Sequence, residues 1–163
     1  MPSASDTVIR PATVGDAAAI RSLIAALARE TIGPAQQVLS VDAVRRFGFG
    51  PEKSFESLVA ERDGEVVAAV IMFDEFSTWR GQKGVYILDI YIAPSARGEG
   101  LGRRLVARVA QWARGRGARY VRLSVDEENL RAVNFYEAIG FKEGAHDRVF
   151  VLSGEAFNAI DCS

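Results

Sequence analysis

Apolar residues recur at two spacings along the chain, and the switches between them outline the elements. Val8 and Ile9 read as a short first strand. Ile20, Leu23, Ile24 and Leu27 then fall on one stripe of an amphipathic helix. Thr13 and Asp16, just ahead of it, carry the pattern of a capping box. Ser40 can cap a second short helix through Val44 and Phe47, ended by Gly48 and Pro51. Residues 56–73 read as a hairpin, Ser57–Ala60 and Val66–Phe73, turning at Asp63-Gly64. Asp74 to Gly84 reads as a polar loop holding Trp79, and Val85 to Ile92 as a nearly all-apolar strand buried on both faces. Leu101, Leu105, Val109 and Trp112 mark a third helix, stopped by Gly115 and Gly117. Tyr120 to Val125 reads as a strand and Leu130 to Ile139 as a helix stopped at Gly140. Val149 to Leu152 reads as a last strand. This alternation predicts one α/β domain over 1–163, with its core at about 7–153, in which helices cover both faces of a mixed sheet.

Composition narrows the function classes. The chain has 163 residues, 48% of them hydrophobic, enough for one core without staples. A net charge of −1 argues against a nucleic-acid or membrane surface, which needs a basic excess. Arginines nevertheless crowd the stretch from Arg97 to Arg122, where a small anion could bind. One cysteine, Cys162, and one histidine, His146, build neither an internal disulfide nor a common zinc site. His146 reads as a surface loop residue and Cys162 as a tail residue. No apolar run resembles a leader or a membrane span, and a cytoplasmic location is expected.

The sharpest chemical signal runs from Ile90 to Arg104, where an apolar strand enters a loop with Gly98, Gly100 and Gly102 and the loop opens a helix. Glycines permit positive φ and close approach of a ligand to backbone. Free N–H groups at the start of a helix attract phosphate. The same residues also suit a tight strand–helix turn with a solvated arginine face, and spacing alone leaves both readings open. A dinucleotide fingerprint fails, because Arg103 or Leu105 stands where the last glycine belongs. A nucleoside-triphosphate loop fails for want of Gly-Lys-Ser/Thr.

Arg97-x-x-Gly100-x-Gly102 after Tyr91-Ile92-x-Pro94 resembles the pyrophosphate loop of the GNAT superfamily of N-acetyltransferases. The segment from Asn129 to Phe141 resembles that family's second motif, Asn-x-x-Ala-x-x-Phe-Tyr-x-x-x-Gly-Phe, in the family's order and spacing. Ile9-Arg10-Pro11-Ala12 resembles its N-terminus, so most of the chain is covered. The Trp79 loop and Phe47-Gly48-Phe49-Gly50 look like the diamine and thialysine branch.

The resemblance implies an acetyl-CoA-dependent N-acetyltransferase, without a metal, acting by direct attack of a primary amine on the thioester. The cofactor would lie between splayed parallel strands matching Val85–Ile92 and Tyr120–Val125, with a bulge near Ile90 to Ile92. Ile90, Tyr91 and Ile92 would offer main-chain groups, and Arg97, Gly98, Glu99, Gly100, Leu101, Gly102 and Arg103 the pyrophosphate site. Asn129, Arg131, Ala132 and Tyr136 would line the other wall, with Tyr136 also the general acid. Tyr136 equally fits a packing stripe with Ala132 and Ile139.

Asp89, a carboxylate in an apolar strand, is either tied to backbone or an arginine, or binds the acceptor amine and takes its proton. Trp79 shapes the acceptor entrance or packs locally, and Asp126 is a further acceptor-side candidate. Polyamine-acetylating relatives carry Glu-Asp where this chain has Leu88-Asp89. Ala25 and Ala26 stand where they place a glutamate, so a small amine or lysine analogue suits the chain better than spermine. Peptide acetylation and a non-catalytic acyl-CoA sensor are the other readings, and a homodimer is implied by resemblance only.

Overall fold

The computed structural model describes residues 7–34, 37–144 and 149–160. The predicted positions of His146 and Cys162 lie outside the described residues. The chain divides into two compact parts, residues 1–124 and 125–163.

The first part opens with β1 (Val8–Pro11) and a 3-10 turn at Val14–Asp16, followed by α1 (Ala17–Thr31) and α2 (Val41–Phe49). Then come β2 (Glu56–Arg62), β3 (Glu65–Ser77), β4 (Gln82–Ile92), α3 (Leu101–Gly115) and β5 (Tyr120–Leu123). The strands stand in sequence order in one sheet, antiparallel except for the parallel pair β4–β5. The mixed sheet expected from the sequence is therefore present. On one face Leu105 and Val109 of α3 pack with Leu58, Val70, Val85 and Ile87. On the other, Ile20 and Ile24 of α1 and Val44 of α2 pack with Val59, Ala69, Ile71 and Tyr91. These two layers pack against both faces of β4.

Local chemistry explains most boundaries. Asp63 (φ 53°) and Gly64 (φ 79°) take the left-handed turn that the hairpin requires. The Ser40 hydroxyl accepts from the Ala43 N–H and caps α2. The structure differs from the sequence pattern in two places. Helix α2 runs through Gly48 to Phe49, because Gly48 leaves room for the Phe55 ring, which a Cβ would approach to 2.8 Å. The polar loop from Asp74 to Gly84 is mostly strand: β3 continues to Ser77 and β4 starts at Gln82, leaving a short turn.

The Asp16 carboxylate accepts from Arg10 at 2.8 and 3.0 Å and from the Thr13 N–H at 2.7 Å. The Arg10 bond, more than opposing burial, holds its pKa down at about 2. A depressed carboxyl pKa stabilises the fold above the ordinary carboxylate range, and that contribution is lost as pH falls towards 2. Asp16→Asn is expected to cost about 2 kcal/mol at pH 7. The difference should shrink in urea unfolding at acid pH; an equal loss at both would contradict the assignment.

The second part holds α4 (Leu130–Ala138) and a short α5 (Gly154–Ala159). The expected strand at Val149–Leu152 is absent; Val149, Phe150 and Val151 are 86%, 89% and 79% exposed. A β-prone run forms a strand only where a neighbouring strand bonds to it, and none pairs with this one among the described residues.

Candidate active site

The site residues of the first part are set by one irregularity in β4. Strand β4 pairs with β3 along its length, but β5 pairs only with Gly84–Ile87. Beyond Ile87 no strand pairs with the β5 side of β4 among the described residues, because β5 ends at Leu123, the partner of Ile87. Gly84 permits the close start of that pair, since a Cβ there would stand 2.2 Å from the Tyr120 ring.

Ile71 faces Asp89 and Met72 faces Ile87, so Leu88 is the extra residue of a bulge. The bulge thus lies at Leu88, not at Ile90 to Ile92. Its reason is visible in the packing. Val85, Ile87, Ile90 and Ile92 all pack on the α3 side, which strict alternation forbids. One extra residue shifts the phase, keeps these four together and turns Asp89 and Tyr91 towards the α1 side. The shift from 85/87 to 90/92 was present in the sequence as the only available signal.

Asp89 is half-buried, and its carboxylate makes no hydrogen bond or ion pair among the described residues. The backbone or arginine tie is therefore not formed. Burial pushes its pKa up from the ordinary carboxylate value, which makes it a stronger base than a surface aspartate. Leu88 beside it is 55% exposed.

The glycine loop leaves β4 through a 3-10 turn at Pro94–Ala96 and enters α3 at Leu101, which is 3% exposed and anchors the helix. Gly98 and Gly100 are left-handed, with φ of 81° and 73°, and a Cβ on either would meet no atom within 4 Å. The first backbone bond of α3 runs from the Arg104 N–H to the Gly100 carbonyl at 3.2 Å. The N–H groups of residues 98–103 donate to no backbone carbonyl among the described residues. These donors, at the positive end of a fifteen-residue helix, form an anion cradle with open space in front.

The charged side chains of the loop are differently placed. Arg103 is exposed, Glu99 pairs with Arg62 at 2.5 Å, and Arg104 donates to the Thr7 carbonyl at 2.6 Å. Arg97, expected at the phosphate site, folds back instead. It bonds Glu30 at 2.9 and 3.0 Å, donates to the Ile92 carbonyl at 2.8 Å and stacks over Tyr91. Ile90, Tyr91, Ile92 and residues 97–103 are thus assembled in one part of the chain.

Asn129, Arg131, Ala132 and Tyr136 sit together on α4 of the second part. The Asn129 side chain caps the helix by accepting from the Ala132 N–H at 3.1 Å. Arg131 is exposed. Tyr136 is 9% exposed, packs edge-on against Phe135 and Phe141 within its part, and has its pKa pushed up to about 12 by burial.

Residues 22–141 match the acetyltransferase (GNAT) family. The chain belongs to the GNAT family of acetyltransferases. It is 35% identical over 166 residues to the thialysine N-epsilon-acetyltransferase of Bos taurus, covering 94% of this chain and 96% of that one. It is 32% identical over 108 residues to the L-ornithine N5-acetyltransferase of Arabidopsis thaliana, covering 65% and 47%. The fold superposes on an integron cassette protein of V. cholerae with a TM-score of 0.79 at 18% identity, covering 94% and 96%. The chain is therefore an acyltransferase enzyme with the GNAT fold.

Two other candidates of this acetyltransferase are less engaged. Trp79, at the tip of the β3–β4 turn, is 99% exposed, so local packing does not hold it. Asp126 accepts from the Glu128 N–H at 2.9 Å in a local turn of the second part. An open groove of about 520 Å³ is lined by Asp74, Glu75 and Arg116 among others. Both of its carboxylates are paired, Asp74 with Arg116 and Glu75 with Arg122. Among the described residues no cluster could hold a metal, and no helix is long and apolar enough to cross a membrane. Nothing local in the sequence marks Glu30, since its contact with Arg97 spans 67 residues.

Proposed function

We propose that this enzyme transfers the acetyl group of acetyl-CoA to the primary amine of a small, amino-acid-like acceptor, and that the whole chain serves one acetyltransferase domain. The observation that carries the reading is the end of β5 pairing at Ile87, beside a loop whose N–H groups at residues 98–103 donate to no backbone carbonyl among the described residues. The residues present suit the co-substrate: the loop N–H groups of residues 98–103 meet the pyrophosphate, and the freed edge of Leu88–Ile92 receives the pantetheine arm as an added strand would be received. Asn129, Arg131 and Ala132 match positions that the resemblance to the family's second motif assigns to the co-substrate.

An acceptor amine is mostly protonated near neutrality, with a reference pKa of about 10.4. Asp89 attracts that cation and takes its proton, directly or through water, because its unpartnered carboxylate is raised in basicity by burial. Main-chain N–H groups near Ile90 and Ile92 stabilise the charge that develops on the thioester oxygen. Tyr136 holds its proton well above neutral pH and delivers it to the departing thiolate.

The names of the thialysine and L-ornithine relatives support an acceptor that carries an amino-acid group besides the reacting amine. Leu88 in place of a second carboxylate supports the same choice, since a polyamine gains from several acids.

The test is thioester consumption with lysine analogues, ornithine, short diamines, spermidine, spermine and peptides, with and without Asp89→Asn. Amino-acid-like amines should give the highest kcat/KM, and Asp89→Asn should lower it about 10- to 100-fold, the worth of one charged contact. The acid limb of the wild-type profile, set by the raised Asp89 pKa, should vanish in the variant. A wide preference for spermine would refute the acceptor class. An unaffected Asp89→Asn would move the base elsewhere.

A further inference from the structure

Arg97 opens the phosphate-binding loop, yet its side chain is committed to the opposite layer of the sheet. Its terminal nitrogen meets both oxygens of Glu30, at 3.0 and 2.9 Å, and its Nε donates to the Ile92 carbonyl at 2.8 Å. The guanidinium lies 5.3 Å over the Tyr91 ring. The Tyr91 hydroxyl donates to Glu30 Oε1 at 2.5 Å, so one carboxylate holds both the arginine and the tyrosine. Glu30 lies in the last turn of α1 on one face of the sheet, whereas the loop leads into α3 on the other. The carboxylate also neutralises the charge that would otherwise make Arg97 a mobile phosphate ligand.

We propose that Glu30 is a positioning residue for acetyl-CoA: through Arg97 and Tyr91 it fixes the start of the glycine loop, so that the N–H groups of residues 98–103 stand preorganised for the pyrophosphate. Preorganised donors bind better because no ordering remains to be done at binding. The proposal rests on the acetyl-CoA reading of the loop. It assigns the contact to cofactor affinity rather than to the chemical step.

The experiment measures acetyl-CoA and CoA affinity by calorimetry, with KM and kcat, for the wild type, Glu30→Gln, Tyr91→Phe, Arg97→Ala and the Glu30→Ala/Arg97→Ala pair. Glu30→Gln should weaken acetyl-CoA binding about 5- to 30-fold, with KM rising in step and kcat at saturation changing less than about threefold. The Ala pair should lose little more than Arg97→Ala alone, because the two side chains act as one unit. Tyr91→Phe, which removes only a hydroxyl, should show a smaller shift in the same direction. Unchanged affinity in Glu30→Gln and Tyr91→Phe, or additive losses in the pair, would overturn the proposal. Tighter binding in Glu30→Gln would overturn it too, showing that Glu30 competes with phosphate for Arg97. A wild-type chain that fails to bind acetyl-CoA would instead refute the reading of the loop itself.

Discussion

Tyr136→Phe is expected to lower kcat about 10²- to 10⁴-fold, the usual worth of a general acid, while acetyl-CoA affinity changes little. The substitution keeps the ring that packs between Phe135 and Phe141, with centroid distances of 5.1 and 5.4 Å, and removes only the hydroxyl. That hydroxyl makes no hydrogen bond among the described residues, so its removal leaves no partner unsatisfied and the fold should persist. Burial raises its pKa to about 12, which keeps the neutral, proton-bearing form dominant through the assay range. A thiolate has an ordinary pKa of about 8.5, so proton transfer to it from a carboxylic acid held neutral only at low pH would fail near neutrality. Tyrosine carries its proton there, but transfer from a group near 12 to a thiolate near 8.5 is uphill, so it must be coupled to departure of the thiolate. Any basic limb of the wild-type rate below about pH 11 must therefore belong to another group. Steady-state rates at saturating acetyl-CoA check the first claim, and the pH profile checks the second. Turnover equal to wild type would reduce Tyr136 to a packing residue.

Elements whose chemistry is local were legible in the sequence. Thr13 with Asp16, Asp63-Gly64 and Ser40 each act within a few residues, and all three stand where the pattern puts them. The glycine loop was legible for the same reason: left-handed backbone at Gly98 and Gly100 is a property of single residues. The misses share one cause, which is that distant neighbours decided them. Gly48 reads as a stop until the Phe55 ring explains it as a close approach. Arg97 reads as a phosphate ligand until Glu30, on another helix, claims its guanidinium. The bulge at Leu88 depends on which layer each isoleucine of β4 enters, and a strand apolar on both faces conceals that phase. Val149–Leu152 has strand composition, but composition supplies no neighbouring strand.

Gly100→Val is expected to weaken acetyl-CoA binding about 30- to 1,000-fold, as loss of one or two charge-assisted hydrogen bonds would. Gly100 is the residue before α3, with φ of 73°, a region in which a β-branched side chain is strained. No atom lies within 4 Å of its Cβ position, so valine would clash with nothing in the protein. Its harm would come from two other sources. The backbone would relax towards negative φ, turning the neighbouring N–H groups away from their common focus. The side chain would also fill the open space in front of the loop, where the proposed pyrophosphate site lies. The first effect costs the fold about 1–2 kcal/mol, the ordinary penalty for a left-handed non-glycine residue. The second costs the folded protein nothing and the complex a great deal. Gly100→Ala separates them, because it keeps most of the backbone strain and adds only a methyl group. Affinity should fall in the order glycine, alanine, valine, whereas the melting temperature without ligand should drop by similar amounts in both variants. If acetyl-CoA binds Gly100→Val as tightly as the wild type, the loop is a structural turn and the cofactor site lies elsewhere.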